Sequence, residues 1–193
     1  GRVKDAIDRL YQEAQRRPHQ AIPELVELVK KYPNLQMLYN YLSVAYAKTG
    51  QREKAEEAVR ENYRRNPDYL FARLNYAELC RAQGEYEKIA EIFEHKFDLK
   101  LLYPKRKRFH ITEVTNFMGL MGIYFVETGG REGAERYYEI LKEIAPSNPR
   151  TKMLRRKLYP SFLKRLLCRR AGQWSIEKDK EPELNKVKDK LKK

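Results

Sequence analysis

Histidines, cysteines and clustered carboxylates carry most enzymatic and metal chemistry, and this sequence arranges none of them in a recognisable site. The three histidines, His19, His95 and His110, lie far apart and belong to no HExxH or His/Cys ligand pattern. The carboxylates are spread at i,i+3 and i,i+4 spacings, which is typical of the solvent faces of helices. No glycine-rich phosphate-binding motif occurs. The sequence therefore predicts a non-enzyme with no catalytic residue, no cofactor and no metal site.

The two cysteines, Cys80 and Cys168, are too few for a disulfide framework and form no CxxC pair. This usage indicates a reducing compartment, and we expect a cytoplasmic location. Cys80 falls at an apolar helical position, where a thiol acts as a small hydrophobic group. Cys168 has basic neighbours that would lower its pKa, so it is the one candidate for a reactive thiol.

Basic residues are concentrated in the second half of the chain, which carries most of the formal net charge of +14. Residues 1–100 hold 18 basic and 16 acidic residues, whereas residues 101–193 hold 23 and 11. Between residues 150 and 170 there are nine basic residues and no acidic one. Such asymmetry indicates either a binding surface for a polyanion or acidic partner, or a solvated face that keeps the protein soluble.

Two basic clusters form the candidate polyanion-binding surface. Its residues are Lys105, Arg106, Lys107, Arg108, Arg155, Arg156, Lys157, Lys164, Arg165, Arg169 and Arg170. Tyr103 and Phe109 flank the first cluster, and they could stack on nucleic-acid bases. Alternatively, these two aromatic rings attach the loop to the rest of the protein.

The 193 residues contain 41% hydrophobic residues, which is enough for a packed core. No apolar run approaches the ~20 residues of a membrane-spanning helix, so we expect no integral membrane protein.

A repeat of 34 residues organises the apolar pattern. Pro33 and Pro67 are separated by this distance, and so are Gly50 and Gly84. Residues 41–59, 75–93 and 120–138 align with one another, the last after about eleven inserted residues. Each copy has helical apolar spacing, then a glycine turn, then a second periodic stretch, which predicts pairs of antiparallel helices.

This pattern resembles the tetratricopeptide repeat (TPR) family over roughly residues 2–146. The clearest unit, 36–69, matches the family at Tyr39, Leu42, Ser43, Tyr46, Ala55, Val59 and Pro67. The later units match at Ala77, Gly84, Phe93, Gly122, Phe125, Ala134, Tyr138 and Pro146. In unit 70–103, Arg73, Ile89 and Leu101 replace the family's usual aromatic residue, alanine and proline.

The resemblance implies an all-α fold, a right-handed α-solenoid of helix-turn-helix repeats with a C-terminal capping helix. The expected segments are a degenerate N-terminal repeat 1–34, repeats 35–69, 70–100 and 115–148, a basic insert 101–114, a basic capping helix 149–170 and a charged tail 171–193. Pro160 should kink or split the capping helix.

By the same resemblance, the first helix of each repeat lines a concave groove suited to a helix or an extended peptide. The expected groove residues are Met37, Asn40, Tyr41, Val44, Lys48, Phe71, Leu74, Asn75, Glu78, Arg81, Asn116 and Ile123. Chaperone adaptors of this family hold a peptide carboxylate with a set of Lys, Asn and Arg residues. Tyr41, Phe71 and Asn75 stand at matching positions here, so that clamp is absent.

Three functions are compatible with the sequence. The first is a non-enzymatic adaptor or scaffold that binds a protein or peptide in the groove, as the resemblance implies. The second is a nucleic-acid-binding helical-repeat protein that uses the basic insert and the C-terminal helix. The third is peripheral attachment to anionic lipid through the amphipathic segment 150–170.

Overall fold

A computed structural model describes residues 2–160, with side chains from residue 6 onward, and this part of the chain is helical with no strand. Its helices are α1 Arg2–Arg16, α2 Pro18–Lys31, α3 Gln36–Lys48, α4 Arg52–Arg65, α5 Leu70–Ala82, α6 Tyr86–Ile92, α7 Leu99–Leu102, α8 Ile111–Glu127, α9 Arg131–Ile144 and α10 Pro149–Leu158. The described residues divide into a first unit, up to residue 114, and a second unit, from residue 115 onward.

The same turn follows α3, α5 and α8. Gly50, Gly84 and Gly129 adopt φ of 75°, 75° and 86°, a left-handed conformation that glycine takes without steric cost. The residue after each glycine donates its N–H to the carbonyl five residues earlier. These bonds are Gln51 to Tyr46 (2.9 Å), Glu85 to Cys80 (2.9 Å) and Gly130 to Phe125 (2.7 Å). This is the Schellman ending of a helix, and it confirms the glycine turns expected from the sequence.

A second recurring contact holds the chain between successive helix pairs. The Tyr39 hydroxyl donates to the Pro33 carbonyl at 3.0 Å, a bond that joins α3 to the turn before it. Arg73 Nε donates to the Pro67 carbonyl at 2.5 Å, and Thr151 Oγ1 donates to the Ala145 carbonyl at 2.8 Å. In each case the donor lies six residues after its acceptor. Tyr39 and Arg73 thus satisfy the carbonyls of equivalent prolines, whereas Thr151 bonds the residue just before Pro146, the proline at the matching position of the third repeat.

The core of the first unit begins with α1, α2 and α3, whose buried side chains form one cluster. Its members are Leu10, Ala14, Ala21, Leu25, Leu38, Leu42 and Ala45. Pro18 stands in the first turn of α2, where its missing N–H removes no helical bond. The helices α4, α5 and α6 continue the packing in chain order.

The helix α6 is only seven residues long, and a turn with two left-handed residues, Glu94 and His95, follows it. Arg73 reaches this turn from α5 with 7% of its side chain exposed. Its guanidinium donates to the Ile92 carbonyl at 3.0 Å and to Glu94 Oε1 at 2.9 Å. The arginine that replaces the expected aromatic residue thus holds the end of the shortened helix.

In the second unit, α8 and α10 lie very close together. A Cβ on Gly122 would lie 2.4 Å from Leu154 Cδ2, and a Cβ on Gly119 would lie 2.7 Å from Arg150 Cβ. Glycine at these two positions permits the approach. Ile123, Leu141 and Leu154 are fully buried in the core that results.

Asn148 caps α10 by accepting from the Arg150 N–H at 2.8 Å, and Pro149 occupies the first turn. The helix ends at Leu158, just before Pro160. The rest of the expected capping helix and the charged tail lie outside the described residues. Among the helices of residues 2–160, none combines the length and apolar composition that crossing a bilayer requires.

Candidate binding surfaces

The expected groove residues of the first unit differ in exposure. Lys48 is exposed and Leu74 is buried. The half-buried members are Met37, Asn40, Tyr41, Val44, Phe71, Asn75, Glu78 and Arg81. Leu74 therefore contributes to the core and presents little surface to a ligand.

A chain of carboxamides fixes the polar part of this surface. Asn62 of α4, which is 1% exposed, donates to Asn40 Oδ1 at 2.9 Å and to the Gln36 carbonyl at 3.2 Å. Asn75 of α5 donates to the same Asn40 oxygen at 2.9 Å. Asn40 and Asn75 are thus held side by side. The sequence did not indicate Asn62, because a single asparagine carries no signal of its tertiary partners.

Two pairs of aromatic rings include the expected groove residues Tyr41 and Phe71. The rings of Tyr11 and Tyr41 are 5.5 Å apart, and those of Tyr69 and Phe71 are 5.8 Å apart. Burial raises the pKa of Tyr41 and of Tyr69, which keeps both hydroxyls neutral at physiological pH. The first turns of α3 and α5 thus offer amide and phenol groups, whereas the charged groove residues Lys48, Glu78 and Arg81 lie toward the other ends of these helices.

An open depression of about 450 Å³ lies among α3, α4 and α5. We call it the α3–α5 depression. Its lining residues are Ser43, Val44, Ala47, Arg52, Ala55, Glu56, Val59 and Leu79. The space arises because most of these side chains are small. Arg52 Nε donates to Glu56 Oε1 at 2.9 Å, so an ion pair borders the apolar wall. Of the expected groove residues, Val44 belongs to it.

No protein-family model matches the chain, and no curated protein shows significant similarity to it. The TPR resemblance therefore stays a prediction from the residue pattern. The structure itself establishes helices that pack against their neighbours.

The basic insert is attached to the first unit by its aromatic residues. The Tyr103 hydroxyl donates to the Asp68 carbonyl at 2.9 Å, and burial raises the Tyr103 pKa to about 12. The Phe109 ring lies 6.3 Å from that of Tyr103, and the Arg106 guanidinium lies 4.4 Å from the Phe109 centroid. Of the two alternatives for these rings, the structure favours attachment over a site for bases.

The Arg106 guanidinium is paired within the protein. Its two terminal nitrogens donate to Glu113 Oε1 and Oε2 at 3.0 and 2.8 Å. The sequence predicts that Arg106 binds a polyanion, but in the structure its charge is neutralised by Glu113. Lys105, Lys107 and Arg108 remain exposed, with no ion pair among the described residues.

The start of α8 lies inside the expected insert. Glu113, in the first turn of this helix, also accepts a hydrogen bond from the His110 N–H at 2.8 Å.

The attachment of the insert should depend on pH through Glu113. The hydrogen bond from Arg106 is the main cause that lowers the pKa of Glu113. Because the ionised carboxylate is the form that accepts this bond, ionisation of Glu113 stabilises the folded loop. This stabilisation is complete above the unfolded pKa of about 4.3 and is lost as pH falls through the lower folded value. We expect the Tyr103 and Phe109 ring resonances in NMR spectra to change across that acid range. Glu113→Gln should remove the transition, and its persistence in that variant would contradict the assignment.

In the second unit, Asn116 is half-buried, whereas Ile123 is fully buried and packs against Leu154. The Ile123 side chain is thus core and does not face a ligand. On α10, Arg155 and Arg156 are exposed, as is Lys152, but Lys157 donates to Glu127 Oε1 at 2.6 Å. We expected Lys157 to bind a polyanion, and here it pairs within the protein. Four further expected basic residues, Lys164, Arg165, Arg169 and Arg170, lie outside the described residues.

The residues considered for chemistry are dispersed in the described part. Cys80 is buried, and burial raises the pKa of its thiol, so it behaves as the expected core residue. His19, His95 and His110 are all exposed. Within residues 2–160 no three His, Cys, Asp or Glu residues are grouped to hold a metal ion. Cys168 lies outside the described residues.

Proposed function

We propose that the chain is a non-enzymatic scaffold of TPR-type repeats that binds a peptide segment of a partner protein at α3, α4 and α5. The repeated glycine turns and the matching carbonyl contacts at Pro33 and Pro67 support a repeat architecture. A right-handed solenoid and a cytoplasmic location belong to the same proposal, and they rest on the sequence pattern.

The α3–α5 depression is the observation that carries this proposal. Its volume of about 450 Å³ falls within the ~300–1,000 Å³ of typical ligand pockets. Val44, Ala47, Val59 and Leu79 form an apolar wall that a bulky side chain of a peptide would cover. Burial of such an anchor is the usual source of affinity in peptide recognition. The neighbouring half-buried Asn40 and Asn75 supply polar groups for the peptide main chain.

The test is selection of binders from a displayed library of random 12-residue peptides, followed by fluorescence anisotropy with the selected peptides. Ala47→Arg places a long charged side chain in the depression at an exposed helical position, where the fold tolerates it. We expect this change to weaken binding at least tenfold, which is about 1.4 kcal/mol.

Gln20→Arg is the matched control, since it adds the same charge at an exposed position of α2 that does not line the depression. The affinity of this variant for the selected peptides should stay within twofold of that of the original protein. Failure to select any peptide, or equal affinities for the two variants, would contradict the proposed function.

A further inference from the structure

The exposed side of α10 presents three basic residues and one aromatic residue in a single stripe. Lys152, Arg155 and Arg156 follow one another at i, i+3 and i+4, so they share a face of the helix, and Tyr159 is the residue that caps the helix end. All four are exposed, Tyr159 by 44%. We call this stripe the α10 basic face. The opposite side, with Thr151, Leu154 and Leu158, is buried in the second unit.

The cations of the α10 basic face differ from those of α9 in whether a carboxylate pairs with them. On α9, Arg131 pairs with Glu135 at 2.9 Å, Lys142 pairs with Glu139 at 3.2 Å, and Arg136 pairs with Glu132. Lys152, Arg155 and Arg156 have no carboxylate partner among the described residues, and α10 contains no acidic residue. Within residues 6–160, therefore, no carboxylate neutralises the positive charge on this face.

We propose that the α10 basic face binds the phosphate backbone of single-stranded nucleic acid. The three cations, from residue 152 to residue 156, span about 6 Å at 1.5 Å per helical residue. A nucleic-acid strand carries one phosphate per ~3.4 Å in stacked form, so three successive phosphates span about 7 Å, which matches the three cations.

Tyr159 supplies the group that distinguishes a nucleic acid from a simple polyanion. Its ring contacts Tyr138 edge-on at 5.7 Å, and the Arg131 guanidinium lies 5.6 Å from its centroid. The ring is thus held in place while 44% of the residue remains exposed. An aromatic ring beside a row of cations can stack a base while the cations contact phosphates.

The same packing argues against a lipid surface as the partner. A helix that binds at a membrane interface inserts its apolar face into the lipid. In α10 that face is occupied, because Leu154 and Leu158 are 0% and 1% exposed in the core of the second unit. From residue 150 to residue 159, the exposed positions are Lys152, Arg155, Arg156 and Tyr159, and none of these is aliphatic.

The experiment titrates the full chain into fluorescein-labelled U12 and dT12 oligonucleotides by anisotropy, between 50 and 300 mM KCl. Arg155→Gln with Arg156→Gln should weaken binding at least tenfold at 100 mM salt. It should also reduce the log–log salt slope by about 1.4, since each single-strand phosphate contributes about 0.7. Tyr159→Leu should weaken binding about fivefold and leave the slope unchanged, because stacking releases no counterions.

Arg136→Gln with Lys142→Gln is the matched control, since it removes two positive charges that already have carboxylate partners. This double variant should bind both oligonucleotides with an affinity within twofold of that of the original protein. The proposal is overturned if neither oligonucleotide binds at 50 mM salt, or if the two double variants lose equal affinity. It is also overturned if the chain binds only vesicles containing 30% phosphatidylserine. An unchanged affinity of Tyr159→Leu would remove the stacking role and leave a generic polyanion surface.

Discussion

Arg73→Met should lower the free energy of unfolding by about 3 kcal/mol, because it removes a buried donor that serves four acceptors, two of them backbone carbonyls. The guanidinium donates to the carbonyls of Pro67 and Ile92, at 2.5 and 3.0 Å. It also donates to Asp68 Oδ1 at 3.2 Å and to Glu94 Oε1 at 2.9 Å. Methionine fills a similar volume but leaves the Ile92 carbonyl without its buried donor.

The loss should appear first at the end of α6. The bond to the Ile92 carbonyl and the ion pair with Glu94 hold a turn in which Glu94 and His95 adopt φ of 54° and 55°. Non-glycine residues disfavour this conformation, so the turn depends on surrounding contacts. Amide hydrogen exchange should therefore accelerate at residues 92–96 in Arg73→Met before it does so in α3.

Urea unfolding followed by circular dichroism measures the effect. Arg64→Met is the control, because Arg64 bonds Glu61 on the exposed surface, and its unfolding midpoint should not move. Arg73→Tyr should recover part of the stability, since Tyr39 makes the equivalent bond to the Pro33 carbonyl. A loss below about 1 kcal/mol in Arg73→Met would show that the network contributes little beyond its packing.

Local features of the fold were predictable from the sequence because each depends on one residue's conformational preference. Gly50, Gly84 and Gly129 end helices in the left-handed region, and Pro18 starts one, as their types indicate. The shortened α6 was not predictable from periodicity. Its end depends on Arg73, whose partners at Ile92 and Glu94 lie 19 and 21 residues away.

The candidate surfaces were predictable only in part, because exposure and pairing are tertiary properties. Charge counting cannot distinguish Arg106, which Glu113 and two aromatic rings hold, from the exposed Lys105 beside it. The α3–α5 depression has the same origin, since it results from small side chains on three helices. Periodicity indicates which positions are apolar, but the volume of the depression depends on how α4 packs between α3 and α5.

Gly119→Ala should cost about 2 kcal/mol of unfolding free energy, more than Gly122→Ala, although the new methyl at 122 would make the shorter contact. At Gly122 the nearest atom is Leu154 Cδ2 at 2.4 Å, the end of a side chain that can rotate away. At Gly119 it is Arg150 Cβ at 2.7 Å, which is fixed to the backbone of α10. The helix as a whole must then move away from α8.

Both substitutions gain about 0.5–1 kcal/mol from the greater helix propensity of alanine, so the difference between them reports the contact. We expect Gly122→Ala to change stability by less than about 1 kcal/mol after this gain. Gly133→Ala is the control within the second unit, because its nearest neighbours are Phe125 ring atoms at 3.2 to 3.5 Å, and it should be close to neutral. Urea denaturation of the three variants gives the ranking. If Gly122→Ala proves the more costly, then contact distance rather than the mobility of the contacted atom governs the α8–α10 packing, and Leu154 is held as rigidly as the helix that carries it.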